Sequence, residues 1–121
     1  MRVWYLAAAL LVAAAPAWAQ DCNRRAFITC GACHALTTDA GRKPGPQLVG
    51  VVGRKIGGDP AFDYSPVLKA ANEKSETWTK DKLDEFLKDP QAMYQGTWMG
   101  SPPIRDAKQR ADILCVLEKP S

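Results

Sequence analysis

The sequence predicts an all-α, single-domain protein, and three observations carry that reading. Apolar residues recur at helical spacing, with Leu83, Phe86 and Leu87 at i, i+3 and i+4, and Ile113, Leu114 and Leu117 near the C-terminal end. Cap and stop residues bracket such stretches: Ser65-Pro66 before one, Thr79 before another, and Pro90 after it. No run alternates apolar and polar residues convincingly enough to be a strand.

The first elements are a leader and a short helix. One charge, Arg2, precedes the apolar run Val3 to Ala15, followed by Pro16 and Ala17-Trp18-Ala19, a small-residue cleavage pattern with Gln20 as the new N-terminus. A retained membrane anchor is the competing reading. The apolar run is shorter than the roughly 20 residues a spanning helix needs, and the cleavage pattern favours removal. Residues 1–19 are therefore expected to be a signal peptide, leaving residues 20–121 as one mature domain, periplasmic and without a stable membrane anchor. Loss of Arg2 lowers the formal net charge of +3 by one. That is too weak and dispersed for a nucleic-acid partner.

Asp21 suits an N-cap, and a helix is expected from there to Cys33. It ends in Cys30-Gly31-Ala32-Cys33-His34, the C-x-x-C-H pattern of c-type haem attachment. Two thiols about one helical turn apart can each add to one porphyrin vinyl group, and the adjacent imidazole can reach the iron. A thioredoxin-like dithiol should follow a strand, and none precedes Cys30. A zinc site needs about four ligands, and His34 is the one histidine of the chain. A domain this small is marginal with a bare apolar core, so a large apolar cofactor makes sense of it.

From Thr37 to Tyr64 the glycines and prolines are too dense for helix or strand, and a long turn-built loop is expected. Such a loop needs something to wrap around. Ser65 then caps a helix with Pro66 at its first position, running to about Lys74. Thr79 caps the next, which stops at Pro90. Gly96 to Pro103 cannot be regular structure, and the last helix is expected from about Ile104 to Glu118.

Taken together, the chain resembles class I c-type cytochromes, the family of mitochondrial cytochrome c and its soluble bacterial relatives. The motifs are C-x-x-C-H, Gly45-Pro46-Gln47-Leu48-Val49-Gly50, Gly53-Arg54-Lys55, Phe62-x-Tyr64-Ser65, Thr77-Trp78, Phe86-Leu87-x-x-Pro90, Gly96-Thr97-Trp98-Met99 and Arg110-Ala111-Asp112-Ile113-Leu114. They follow in family order along essentially all of the mature chain. The resemblance implies helices wrapped around one covalent haem c, with the N- and C-terminal helices crossing. It implies thioether attachment at Cys30 and Cys33 and axial ligation by His34 and Met99, a soft sulfur donor that raises the reduction potential. Met93 is the nearby rival for the methionine position. Pro46 is expected to accept the His34 ring N–H through its carbonyl. Arg54, Tyr64, Ser65, Trp78 and Thr97 match propionate-holding positions, while Leu48, Leu83 and Leu87 match porphyrin contacts. Cys22 and Cys115 match the close crossing of the terminal helices, which implies a disulfide between them.

Three positions depart from the family pattern. Phe86, still a haem contact, stands where many relatives have a tyrosine hydrogen-bonded toward the methionine sulfur. Ser101 replaces a common aromatic, and Trp98 a common lysine. Between Gln91 and Asp106 the only charges are Arg105 and Asp106, so the face around Trp98 reads as apolar and polar rather than cationic.

The function these residues imply is that of a monomeric electron carrier cycling between Fe(III) and Fe(II), docking its redox donor and acceptor at the haem edge near Trp98. An iron with both axial positions filled by protein offers no site for substrate, which argues against an enzyme. Two other readings remain open: a haem-c electron-transfer subunit of a larger oxidoreductase, and a haem catalyst or gas sensor with a labile sixth ligand.

Overall fold

A 3-10 turn, Arg24–Phe27, passes directly into the short helix α1, Ile28–Gly31, in the computed structural model, which describes residues 21–120 together with Met1 and Ala13. The expected signal peptide lies outside the described residues. The first helix is shorter than expected and begins later. Asn23, not Asp21, occupies its N-cap, with no side-chain capping bond, and the 3-10 winding gives way to α geometry only at Ile28. Cys33 and His34 both donate their N–H to the Cys30 carbonyl, at 3.1 and 2.9 Å. The haem motif therefore sits on the closing turn of this helix.

Residues 35–64 run as bends and turns. One isolated antiparallel bridge, Lys55 with Thr77, stitches this loop to the segment before the third helix. Around it the Ile56 N–H donates to the Glu76 carbonyl and the Trp78 N–H to the Arg54 carbonyl, each at 2.8 Å. These bonds set Arg54 beside Trp78.

Helix α2, Pro66–Glu73, starts with proline at its first turn, where the missing N–H costs nothing. Ser65 holds the N-cap position, but its hydroxyl makes no capping bond. Helix α3, Lys80–Lys88, is capped by Thr79, whose Oγ1 accepts from the Lys82 N–H at 3.1 Å. Its apolar stripe, Leu83, Phe86 and Leu87, is buried. Pro90 does stop α3, and it also opens a further single-turn helix, α4, Pro90–Met93, capped by Asp89. The last helix, α5, Ala107–Glu118, begins after Asp106, whose side chain accepts from the Lys108 N–H. Ile104 is not helical because its N–H donates to the Leu87 carbonyl instead, at 3.0 Å.

α5 packs across the 3-10 turn and along α3. Arg24 donates to the carbonyls of Lys119 and Pro120 just past the end of α5, and Asn23 donates to Asp112. The core joins Phe27, Val51, Ile56, Trp78, Leu83, Phe86 and Leu87 to Ile113, Leu114, Val116 and Leu117. Burying each large aliphatic side chain contributes about 2 kcal/mol. No described helix is long and apolar enough to cross a membrane.

Candidate functional site

His34 leaves the closing turn of α1 and is held by the loop that follows. Its Nδ1 lies 2.7 Å from the carbonyl oxygen of Pro46. A carbonyl can only accept, so Nδ1 carries the ring proton and Nε2 keeps its lone pair. Burial lowers the imidazole pKa below its ordinary value, with nearby Lys43 and Arg54 adding to the effect against the Pro46 bond. The ring is thus poised as a neutral donor. Gly45 explains why the ring fits here: a Cβ at that position would stand 2.7 Å from His34 Cε1 and 2.9 Å from Nδ1. Only glycine permits the approach.

Cys30 and Cys33 are unbridged. Cys30 packs partly buried against the core, and burial pushes its thiol pKa up; Cys33 is exposed. Leu48, Met99 and Met93 pack against the same core, so both methionines remain candidates on burial alone. Leu83, Phe86 and Leu87 are buried, with the Phe86 and Trp78 rings 5.0 Å apart.

The polar groups give the sharpest test of whether this architecture suits a haem. Arg54 grips the preceding turn, donating to the Gln47 carbonyl at 2.9 Å and the Val49 carbonyl at 3.1 Å, yet its Nε has no partner. Ser65 Oγ and Thr97 Oγ1 are likewise buried and unpaired among the described residues. Leaving a buried polar atom unsatisfied costs about 1–3 kcal/mol. Three such donors, all at positions matched to propionate contacts, fit a buried dianionic edge. Tyr64 differs in part from expectation: its hydroxyl already accepts from the Asp59 N–H at 3.0 Å, leaving its proton to donate.

Cys22 and Cys115, 93 positions apart in sequence, lie with Cα atoms 5.6 Å apart and their sulfurs at bonding distance. Among the described residues no group of three or more His, Cys, Asp or Glu side chains gathers as a separate metal site.

Several residues that organise the site went unmarked in the sequence. Asp59 accepts from the N–H groups of Ala61 and Gln47, at 3.0 and 3.4 Å, and so shapes the turn before Tyr64. Arg110, marked above only as part of a family motif, is buried on α5 and bonds Asp84 and the carbonyls of Ile104 and Arg105. Gln91 bonds the Gly96 N–H and the Thr97 carbonyl, and Glu76 accepts from the Tyr94 hydroxyl. Only the Asp89-Pro90 pair, a cap residue followed by proline, gave a local signal for α4.

A helical domain of this topology, with a C-x-x-C-H turn and three buried donors left without partners, defines a covalent-haem protein. No family model matches the chain. It is 37% identical over 92 residues to cytochrome c2 of Agrobacterium tumefaciens (strain II Chrys), covering 76% of this chain and 83% of the relative. Over 91 residues it is 45% identical to cytochrome c2 of Rhodopila globiformis, covering 74% and 80%. Among solved structures, cytochrome cH from Methylobacterium extorquens superposes with a TM-score of 0.69 at 36% identity, covering 78% of this chain and 92% of that one. The cytochrome c2 of Rhodospirillum centenum gives 0.73 at 30% identity, covering 79% and 92%. The chain belongs to the class I c-type cytochromes. As a member it carries one covalently attached haem c and transfers electrons between redox partners; it is not an enzyme.

Proposed function

We propose that this cytochrome is a periplasmic, monomeric shuttle whose haem is attached through Cys30 and Cys33 and ligated by His34 and Met99. The observation that carries the ligation is the bond between His34 Nδ1 and the Pro46 carbonyl, 2.7 Å, because it fixes the tautomer that leaves Nε2 free to bind iron. When bound, the haem supplies an iron that cycles between Fe(III) and Fe(II). The chain's own residues hold it: Arg54, Ser65 and Thr97 offer unpaired donors to its propionates. Tyr64, Trp78, Leu48, Leu83, Phe86 and Leu87 enclose the ring.

Export follows from the leader, with residues 1–19 removed and 20–121 retained. In that compartment Cys22 and Cys115 form a disulfide, a reading supported by their spacing. Partners dock near Trp98, which is 62% exposed in a stretch that carries only Arg105 and Asp106 as charges.

The test is Met99→Ala beside Met93→Ala, each compared with the purified ferric holoprotein. Met99→Ala should keep covalent haem, lower the reduction potential and admit imidazole and CO, while Met93→Ala should keep the sulfur-to-iron charge-transfer band. The reverse pattern would make Met93 the ligand.

A further inference from the structure

The segment that carries Met99 is held on its N-terminal side by two side chains. Gln91, on α4, uses both ends of its amide on this segment. Its Oε1 accepts from the Gly96 N–H at 3.1 Å, and its Nε2 donates to the Thr97 carbonyl at 2.8 Å. Gly96 has a φ of 92°, in the left-handed region open to glycine, so the backbone turns sharply between the two bonds. Tyr94 provides the other anchor. Its hydroxyl donates to Glu76 Oε2 at 2.8 Å, and its carbonyl accepts from the Thr97 N–H at 3.0 Å. Its ring stands 6.0 Å from that of Trp78 and 6.1 Å from that of Phe86. Past Met99 the chain is next fastened at Ile104, through Leu87 and Arg110. Met99 therefore sits between two fixed points, and the nearer is built from Gln91 and Tyr94.

We infer that Gln91 and Tyr94 are positioning residues for Met99, and that together they set how readily an exogenous ligand displaces it. The inference rests on Met99 being the sixth ligand. Displacement requires the 97–100 stretch to swing away from the iron. Every bond that ties Gly96 and Thr97 to α4, or Tyr94 to Glu76, opposes that swing without touching the iron. The amide geometry also makes Gln91 more than a generic surface residue, since donor and acceptor must both face the loop. A carboxylate could keep the Gly96 bond but would set an oxygen against the Thr97 carbonyl.

Imidazole titration of the purified ferric holoprotein, followed through loss of the sulfur-to-iron charge-transfer band, tests this directly. Tyr94→Phe, which removes one hydrogen bond, should raise imidazole affinity about fivefold, and Gln91→Ala, which removes two, at least that much, with covalent haem intact. Gln91→Glu should not restore wild-type affinity. Thr79→Ala, which removes the α3 cap but none of the bonds that hold Gly96, Thr97 or Tyr94, should lower the melting temperature and leave imidazole affinity within about twofold. The inference is overturned if both anchor variants bind imidazole as wild type does, or if Thr79→Ala raises affinity equally. Failure of the ligand assignment shows up separately, as Met99→Ala binding imidazole no better than wild type, and it removes this inference with it.

Discussion

Arg110 Nε lies 2.8 Å from Asp84 Oδ1, joining α5 to α3 across the core edge, and the same guanidinium caps the carbonyls of Ile104 and Arg105. The two partners are unequally placed: the Arg110 side chain is 9% exposed and that of Asp84 43%. Asp84 therefore keeps much of its hydration, while Arg110 depends on its protein partners.

That asymmetry predicts unequal costs. Asp84→Asn should lose about 1 kcal/mol or less, as for other water-screened pairs. Arg110→Met should lose about 3 kcal/mol, because two backbone carbonyls are stranded as well as the ion pair. Denaturant unfolding of the two variants decides the matter, and equal losses would mean the backbone bonds contribute little.

Tyr94 should be the last tyrosine to ionise. Burial pushes its pKa up to about 12, and the Glu76 carboxylate beside its hydroxyl pushes the same way. An unfolded tyrosine ionises near pH 10. Between pH 10 and 12 the unfolded chain thus binds fewer protons than the folded one. The stability held by the protonated phenol is complete below pH 10 and is lost as pH rises through 12. Glu76→Gln should move the Tyr94 ionisation down toward 10, read by NMR on ring-labelled tyrosine; an unmoved value would mean the carboxylate does not govern it.

The surface around Trp98 should be electrostatically quiet. Electron exchange with ferricyanide, an anion, and with hexaammineruthenium, a cation, should both change little between low and moderate salt. A tenfold fall for ferricyanide would show that lysines from elsewhere in the chain crowd the haem edge. Trp98→Ala should slow transfer to a protein partner about tenfold or more, as the loss of a central aromatic anchor does.

Cys22 and Cys115 should be found joined as a disulfide in the purified protein. Alkylation under denaturing conditions without reductant should add nothing at these two positions, and two groups after reduction, read by intact mass. Closing a loop with a sequence separation of 93 corresponds to about 4–5 kcal/mol in the chain-entropy model. A Cys22→Ser, Cys115→Ser double variant should be destabilised by no more than that. Alkylation at both positions before reduction would mean two free thiols where Cys22, just before the 3-10 turn, meets α5.

Helix existence was legible wherever a stop signal and an apolar stripe agreed, as at Thr79 to Pro90. Boundaries set by long-range bonds were not. Ile104 leaves the last helix because Leu87, far away in sequence, takes its N–H, and no local pattern conveys that. Ser65 looks like a cap yet makes no capping bond, its hydroxyl being buried and unpaired among the described residues. At the site, C-x-x-C-H is a local chemical pattern and could be read directly. The roles of Arg54, Tyr64 and Thr97 came through family resemblance. Gln91, Glu76 and Asp59 are ordinary polar residues whose importance exists only once the chain has folded.

Gly45 lies so close to the His34 ring that a methyl group there would collide with it, while Pro46 pins Nδ1 on the following residue. With His34 as the iron ligand proposed above, the imidazole is left with one resting place whichever charge the metal carries. Gaining or losing an electron then asks for little nuclear motion on this side, so the reorganisation energy is kept small by a missing side chain. Transfer speed is left to distance and driving force. Alanine at this position would push the ring off that resting place.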